Sequence, residues 1–262
     1  MQLVAYGAQD IYLTGNPQIT FFKVVYRRHT NFSMEAIQQT FDGTVDFGNS
    51  VSATISRNGD LVHKMYLEHD VSFTTEINDH TLAISCDYGS HLMKQMEIEI
   101  GGQRIDRHYG HWHSVWSQLT EKNPRGIQGT LFNRMSGNGR GVDTQTAASP
   151  ETNGFTTVSS GGGLDTATAK LFIPFYFWFC RNPGLALPLI ALQYHEVKVN
   201  LTFGSLIAKT NTNAVTPSLS SASLWVDYIY LDTDERRRFA QVSHEYLIEQ
   251  VQFTGDESMT AS

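Results

Sequence analysis

Apolar and polar residues alternate with a period of two along four segments of the chain, at 51–56, 61–73, 96–100 and 197–203. This period places successive side chains on opposite faces of a β-strand, so each segment buries one face and exposes the other. Antiparallel sheets of this kind bury the apolar face against a second sheet. The alternation therefore predicts an antiparallel β-sandwich.

Glycine-containing turns separate these segments. Gly101-Gly102 lies between two strand patterns, which is a strong signal for a two-residue hairpin. Asn58-Gly59 joins the strand that ends at Ser56 to the strand that follows. Several strands connected by tight turns favour a sandwich or a barrel over alternating β–α units.

Two short segments have helical periodicity instead. The first is marked by four large side chains at helical spacing, namely Tyr109, Trp112, Trp116 and Leu119. The second begins at Asp232, a good N-cap residue, with Glu235 three residues later as in a capping box. We expect this second helix to end near Ala240.

Two long polar stretches, 121–169 and 204–223, are predicted to be surface loops.

One segment is apolar on both strand faces and so breaks the alternation. It runs from Phe172 to Phe179 and continues from Leu185 to Leu192. Either another part of the same chain covers its second face, or another subunit does. The second explanation predicts a contact between chains. The candidate contact residues are Phe172, Phe175, Phe177, Trp178, Phe179, Leu185, Leu187 and Leu189.

The charge and the cysteine content narrow the class of protein. The 262 residues suffice for one large domain or two small ones. A formal net charge of -7 argues against a main role in binding nucleic acid, which needs clustered Lys and Arg. The runs Arg27-Arg28 and Arg236–Arg238 are interpreted as solvated charges or local ion pairs. Cys86 and Cys180 are too few for a disulfide framework and are expected to be free thiols.

The strongest candidate for chemistry is the cluster His108, His111 and His113, whose His-x-His spacing occurs at cupin metal sites. No Glu follows at the spacing that such sites use. On a helix, His111 and His113 would also point about 200° apart. We interpret the three as surface histidines or hydrogen-bonded core histidines. The sequence therefore predicts no catalytic residue, no cofactor and no metal site.

Other patterns for chemistry or targeting are weak. His195 and Glu196 are strand neighbours that point to opposite faces, so they cannot easily converge. Asp42, Asp46 and Asp60 are interpreted as turn-forming residues rather than as calcium ligands. The chain has no basic and apolar leader at its start and no apolar run of about 18 residues, so neither a secretory signal nor a membrane span is expected.

Six long segments of the chain carry a family resemblance, namely 2–10, 13–22, 25–32, 55–61, 184–197 and 230–239. They resemble the major capsid proteins of nucleocytoplasmic large DNA viruses. The resemblance follows the chain in order and is weakest in the two polar stretches. It implies an all-β fold, an eight-stranded antiparallel jelly-roll sandwich with one or two short helices and long surface loops.

The resemblance also implies a domain arrangement and a role. Residues 1–30 would form an amino-terminal arm and first strand, 31–240 the jelly roll, and 241–262 the start of a second jelly roll, because family members continue past this point. The protein would form homotrimeric, pseudo-hexagonal capsomers of an icosahedral virion, assembled in the cytoplasm of the infected host cell. Its expected partners are itself, neighbouring capsomers, minor capsid proteins and an internal viral membrane.

Two alternatives remain open from the residues alone. A β-sandwich could serve as a glycan-binding module through exposed Trp and Tyr side chains. A metal-dependent, cupin-like enzyme would instead use the region from His108 to His113. Metal content separates the enzyme from the other two, and the size of the particle in solution separates a shell protein from a monomeric binder.

Overall fold

Antiparallel strands make up most of the chain in the computed structural model, which describes residues 31–76, 83–84, 87–121, 131–137, 156–160, 164–205, 208–209 and 216–255. The strands are β1 (Phe32–Gln39), β2 (Ser50–Thr54), β3 (Leu61–Glu76), β4 (Ala83–Ile84), β5 (Met93–Ile100), β6 (Gln103–Tyr109), β7 (Thr156–Ser160), β8 (Leu164–Pro174), β9 (Leu187–Pro188), β10 (Val197–Phe203), β11 (Ala208–Lys209) and β12 (Thr216–Leu231).

The helices are short. They are α1 (Tyr88–Leu92), α2 (Gly110–Thr120), α3 (Leu131–Ser136), α4 (Trp178–Arg181) and α5 (Thr233–Gln241), with a 3-10 turn at Pro183–Leu185. No helix in the described residues is long and apolar enough to span a bilayer.

Two sheets pack face to face. The larger has the order β1-β12-β3-β8-β7, with β9 paired to β3, and the smaller has the order β2-β10-β5-β6. The strands follow one another along the sequence, and lie side by side in each sheet, in the order of a jelly roll. In this arrangement the sheet β1-β12-β3-β8 packs on the sheet β2-β10-β5-β6. The predicted all-β, antiparallel jelly-roll class is confirmed. The short strands β4, β7, β9 and β11 lie outside these two four-stranded runs.

The core between the sheets follows from the alternation. In β10 the odd-numbered residues are buried, and Val199 and Leu201 are 0% exposed. They belong to one cluster with Leu67 and Val226 of the opposite sheet. Complete burial of such a side chain stabilises the fold by roughly 1.5–3 kcal/mol.

The predicted hairpin and both predicted helices are present. Gly101 and Gly102 have φ of +60° and +81°, which glycine adopts without strain, and they connect β5 to β6. Helix α2 covers the first predicted helix, although Leu119 is 74% exposed and does not join a buried stripe. Helix α5 begins after Asp232, whose side chain accepts a hydrogen bond from Thr233 N at 2.7 Å.

The sequence predicted too few helices and too much loop. Helices α1 and α4 have five and four residues, too few for a helical period to be visible. Strand β7 and most of β8 lie in the stretch 121–169, and β12 begins at Thr216 inside the stretch 204–223. These strands are rich in Ser and Thr and lack apolar alternation, yet each pairs in register with a neighbour.

Candidate assembly surfaces

Most of the predicted contact residues lie in the core of this chain. Phe172 and Leu185 are the exceptions, since both are only half-buried. The other six are 5% exposed or less, namely Phe175, Phe177, Trp178, Phe179, Leu187 and Leu189. For these six, the same chain covers the second face, which is the first of the two explanations given above. A role in subunit contact stays a prediction for this segment.

The burial arises because the chain leaves the sheet after Pro174 and folds back across the end of the sandwich. Phe175 N still donates to Met65 O at 3.0 Å, and helix α4 follows. The Phe177 ring stacks on His108 at 4.8 Å and lies 5.8 Å from the Phe179 ring. Phe175, Phe177 and Phe179 therefore all belong to the core cluster that contains residues of both sheets.

Phe172 points away from that core and joins an aromatic row on the larger sheet. Its ring centroid lies 6.2 Å from that of Tyr66, and Tyr66 stacks on Trp225 at 6.4 Å with an interplanar angle of 7°. The three residues come from the adjacent strands β8, β3 and β12. All three are half-buried, whereas their chain neighbours Leu67 and Leu224 are fully buried on the inner side.

Two further apolar side chains lie on the same side of the sheet on the edge strand β1, separated from the aromatic row by Gln38 and Asp227. Phe32 and Met34 are 65% and 50% exposed and pair in register with Leu231 and Ile229 of β12. We call the surface formed by Phe32, Met34, Tyr66, Phe172 and Trp225 the outer face. Sequence analysis did not find it, although the alternation places Tyr66 and Trp225 on the solvent side of their strands.

Part of the same side of the sheet is covered by the chain itself. Leu61, Ala186 and Ile229 form a second small buried cluster, against which Leu231 and Phe239 of helix α5 pack. Segment 183–188 and helix α5 thus cover the end of the larger sheet at which β3 begins and β12 ends. The five residues of the outer face do not belong to this cluster.

A cleft of about 490 Å³ lies at one end of the smaller sheet. Its walls include three of the predicted contact residues, Trp178, Leu185 and Leu187. Ile105 of the β5–β6 hairpin lines another side, and Ile248 lines a third. The cleft is mainly apolar. Besides the outer face, it is the second surface at which a partner could contact residues of the predicted segment Phe172–Leu192.

The histidine cluster does not form a site. His111 is exposed, whereas His113 is buried, with Nδ1 at 2.8 Å from Ser90 Oγ and Nε2 at 2.9 Å from Pro174 O. Burial lowers the pKa of His113 to about 4, against the opposing effect of the Pro174 carbonyl. No group of three metal-ligating side chains occurs in the described ranges. His113 therefore connects α1, α2 and β8 as a neutral core residue.

His108 is also buried and faces an acid. Its Nε2 lies 2.8 Å from Asp106 Oδ2, close enough for an ion pair but off the axis of a hydrogen bond. The other carboxylate oxygen, Asp106 Oδ1, accepts hydrogen bonds from Arg107 N at 2.8 Å and from Val251 N at 3.1 Å. The pair thus joins β6 to the carboxyl-terminal part of the described chain.

The aspartates proposed as turn residues have separate roles. Asp46 Oδ1 accepts from Phe47 N at 2.7 Å, as expected of a turn. Asp60 is 7% exposed, accepts from Leu231 N at 2.8 Å and pairs with Arg236 Nε at 2.9 Å. Arg236 thus pairs with a residue that is distant in the sequence, whereas the local ion pair expected for the second basic run is that of Arg238 Nη1 with Glu235 Oε1 at 3.8 Å.

The described cysteine adds no reactive group. Cys180 is free and buried, and burial raises the pKa of its thiol to about 12. A thiol of this kind is not ionised near neutral pH and is a poor nucleophile. Cys86 lies outside the described residues.

Comparison with known proteins decides the family. The family model described as "Major capsid protein N-terminus" matches residues 20–232. The chain belongs to this family.

Related proteins share this description. The major capsid protein of Pyramimonas orientalis virus is 58% identical over 261 residues, which are 100% of this chain and 60% of that protein. The major capsid protein of Paramecium bursaria Chlorella virus 1 is 47% identical over 265 residues, covering 100% of this chain and 54% of the relative. The chain thus spans little more than half the length of these relatives.

Solved structures agree with the fold. A quasi-atomic model of the PBCV-1 virus capsid matches with a TM-score of 0.62 and 40% identity, over 92% of this chain and 52% of that chain. The Faustovirus major capsid protein matches with a TM-score of 0.58 over 89% of this chain and 60% of that chain. At 11% identity, the second match shows the jelly-roll fold alone.

Proposed function

We propose that this chain is a jelly-roll part of a major capsid protein and builds the shell of an icosahedral large DNA virus as trimeric, pseudo-hexagonal capsomers. The observation that carries the proposal is the family match over residues 20–232, on a jelly roll whose strand order agrees with it. Its role is association with copies of itself rather than turnover of a substrate. The virion is then its place of action, after assembly in the host cytoplasm.

The outer face is the surface that we assign to contact with a sibling copy. It combines two half-exposed apolar side chains of an edge strand, Phe32 and Met34, with the row Phe172, Tyr66 and Trp225. Exposed apolar side chains on one sheet face are typical of protein–protein contacts, and aromatic residues are enriched in them. Phe172 is thereby the member of the predicted segment with the best access to a partner.

The rim of the outer face carries charges that can orient such a contact. Lys170 Nζ pairs with Glu68 Oε1 at 2.6 Å beside Phe172. Asp227 lies between Trp225 and Ile229 along β12, and burial raises the pKa of its carboxyl group. Aromatic side chains flanked by charged ones are common in specific interfaces.

Minor capsid proteins, neighbouring capsomers and an internal viral membrane are further partners that the resemblance implies. They belong to the whole capsid protein, of which this chain matches little more than half. The glycan-binding alternative receives no support from the relatives named above. The histidine geometry gives the enzyme alternative no converging ligand set in the described residues.

The proposal is tested by the association of the purified chain. Size-exclusion chromatography with light scattering at rising concentration should give a species of three times the 29.4 kDa chain mass. Electron microscopy of the same fraction should show particles with pseudo-hexagonal outlines. A chain that remains monomeric at every concentration, and binds glycans on an array, would support the binding module instead.

A further inference from the structure

Helix α2 carries two exposed apolar side chains that do not join the core. Val115 and Leu119 lie one helical turn apart and are 48% and 74% exposed. We call these two residues the α2 pair. The 11 residues of the helix include no Asp, Glu, Lys or Arg, whereas a surface helix normally carries charged side chains on its outward face. Depletion of charge around exposed apolar side chains is typical of the centre of a protein–protein contact.

Phe32 and Met34 of the outer face, which we call the β1 pair, lie at the opposite edge of the larger sheet. The order β1-β12-β3-β8 places two strands between β1 and β8. Helix α2 adjoins the end of β8, because His113 Nε2 lies 2.9 Å from the carbonyl oxygen of Pro174. With about 4.8 Å between neighbouring strands, β1 and β8 are roughly 14 Å apart. The two pairs are therefore available to two different neighbours.

A closed ring of three copies requires two different contact surfaces on each chain. The contact in such a ring is heterologous, so the surface that a copy presents to the next copy differs from the one it presents to the previous copy. Two outer faces in contact with each other would instead give a two-fold dimer. A stable contact also uses about 20–30 residues on each side, far more than the outer face contains. The trimer of the proposed function therefore needs a second surface that accepts the outer face.

The polar groups beside the two pairs are complementary in charge. Glu35 follows Met34 on β1 and is exposed, and its carboxylate accepts a hydrogen bond from the Tyr230 hydroxyl at 3.2 Å. On α2, His111 lies one turn before Val115 and is also exposed. A protonated histidine can pair with a carboxylate, and α2 has no acidic side chain that would repel Glu35.

We propose that strand β1 of one copy docks on helix α2 of the next copy, so that the β1 pair contacts the α2 pair at each of the three contacts in the ring. The inference rests on the proposed function and names the surface of the sibling copy that receives the outer face. Among the described strands, β1 pairs only with β12. Docking on α2 thus also covers an open sheet edge, which is otherwise prone to pair with other chains.

Cysteine cross-linking of the full chain tests this contact. In a Cys86→Ser background, Ser33→Cys and Thr120→Cys are introduced singly and together. Both positions are exposed, and each lies next to one of the pairs without altering it. The control combines Ser33→Cys with Tyr194→Cys, since Tyr194 is 94% exposed and belongs to neither pair. Each variant reacts with a short bismaleimide, while Cys180 is protected by burial.

Denaturing gels of the reacted proteins show which surfaces meet, and light scattering of the unreacted proteins shows whether they form trimers. The variant with both Ser33→Cys and Thr120→Cys should give covalent trimers of three times the 29.4 kDa chain mass, because each copy reacts with both neighbours. The two single variants and the control should remain monomeric on the gel. Leu119→Ser should also weaken the trimer by about tenfold or more, and it should leave the melting temperature of the monomer unchanged.

The other outcomes distinguish this contact from the proposed function. Trimers in light scattering without covalent trimers on the gel would overturn the contact between β1 and α2 and leave the proposed function standing. Covalent dimers of the single Ser33→Cys variant would overturn it in favour of a two-fold contact between outer faces. A parent chain that forms no trimer would overturn both the contact and the proposed function.

Discussion

Tyr66 and Trp225 stack almost in parallel, with ring centroids 6.4 Å apart, on the side of the larger sheet that faces away from the core. Neither ring is needed to fill the space between the sheets, which Leu67 and Leu224 already occupy from the neighbouring positions. Two flat rings presented side by side on adjacent strands form a rigid apolar surface. Such a surface loses little conformational entropy when a partner covers it.

Replacement of Trp225 by alanine should weaken association much more than it weakens the fold. A half-buried aromatic anchor in an interface contributes about 2 kcal/mol or more, so we expect the self-association constant to fall by about thirtyfold or more. Tyr194→Ala is the control, since Tyr194 is 94% exposed and is not one of the outer-face residues. Light scattering measures the change, and equal association of both variants with the parent would exclude the outer face as a contact.

Truncation of Phe177 should destabilise the fold much more than truncation of Phe172. Phe177 is 0% exposed and stacks on two rings, so Phe177→Ala should lower the free energy of unfolding by about 3–5 kcal/mol. Phe172→Ala should cost about 1 kcal/mol in the monomer, because its ring is half-buried. Urea unfolding followed by circular dichroism measures both, and similar losses would contradict the placement of the two residues.

Phe172 and Phe177 also illustrate which features of the fold can be predicted from the sequence and which cannot. The period of two predicted the faces of β2, β3, β5 and β10, and the glycine pair predicted the β5–β6 hairpin, because both are local properties of the chain. The segment from Phe172 to Leu192 has no period, so its sequence could not distinguish cover by the same chain from cover by a partner. Only the fold decides that α4 and segment 183–188 turn back over the sandwich.

The pattern of apolar and polar residues also could not predict the polar strands or the contacts made by side chains. Strand β12 begins with Thr216 and Pro217, which resemble loop residues, and it forms a strand because β3 pairs with it. The contact between Asp106 and Val251 joins residues 145 positions apart, and no local pattern predicts it. The aromatic row could have been found, since Tyr66 lies between the buried residues Met65 and Leu67.

Acid should destabilise the fold through two buried histidines. Burial lowers the pKa of His69 and of His113 to about 4, from about 6.5 in an unfolded chain. Between these pH values the unfolded chain binds protons that the folded chain does not, so the free energy of unfolding falls as the pH falls through this window. The two histidines should each remove about 3 kcal/mol by pH 4, as an order of magnitude.

The variant His69→Phe separates this effect from general acid unfolding. Neither ring nitrogen of His69 has a hydrogen-bond partner among the described residues, and the ring stacks on Tyr88 at 6.0 Å, so phenylalanine can replace it. We expect the free energy of unfolding to fall less steeply between pH 6.5 and pH 4 in this variant than in the parent. His111→Gln, at an exposed position, should leave the slope unchanged; the same slope in all three proteins would contradict the buried, neutral state of His69.

Gly110 permits the close approach of helices α1 and α2. A Cβ atom at this position would lie 2.2 Å from Ser90 O, a backbone atom that cannot move aside without the helix. Gly110→Ala should therefore lower the unfolding free energy by about 1–3 kcal/mol. Gly184→Ala is the control, because its nearest contact would be 3.4 Å, to the Asn182 side chain. Equal melting temperatures for the two variants would show that this approach is not tight.

The most direct measurement of the central claim is the mass of the purified chain in solution, by sedimentation equilibrium over a wide concentration range. Association through the outer face predicts a reversible shift from 29.4 kDa toward three times that mass, which Trp225→Ala reverses. A single monomeric mass at all concentrations for the parent would contradict the claim that this jelly roll carries a surface for its own copies.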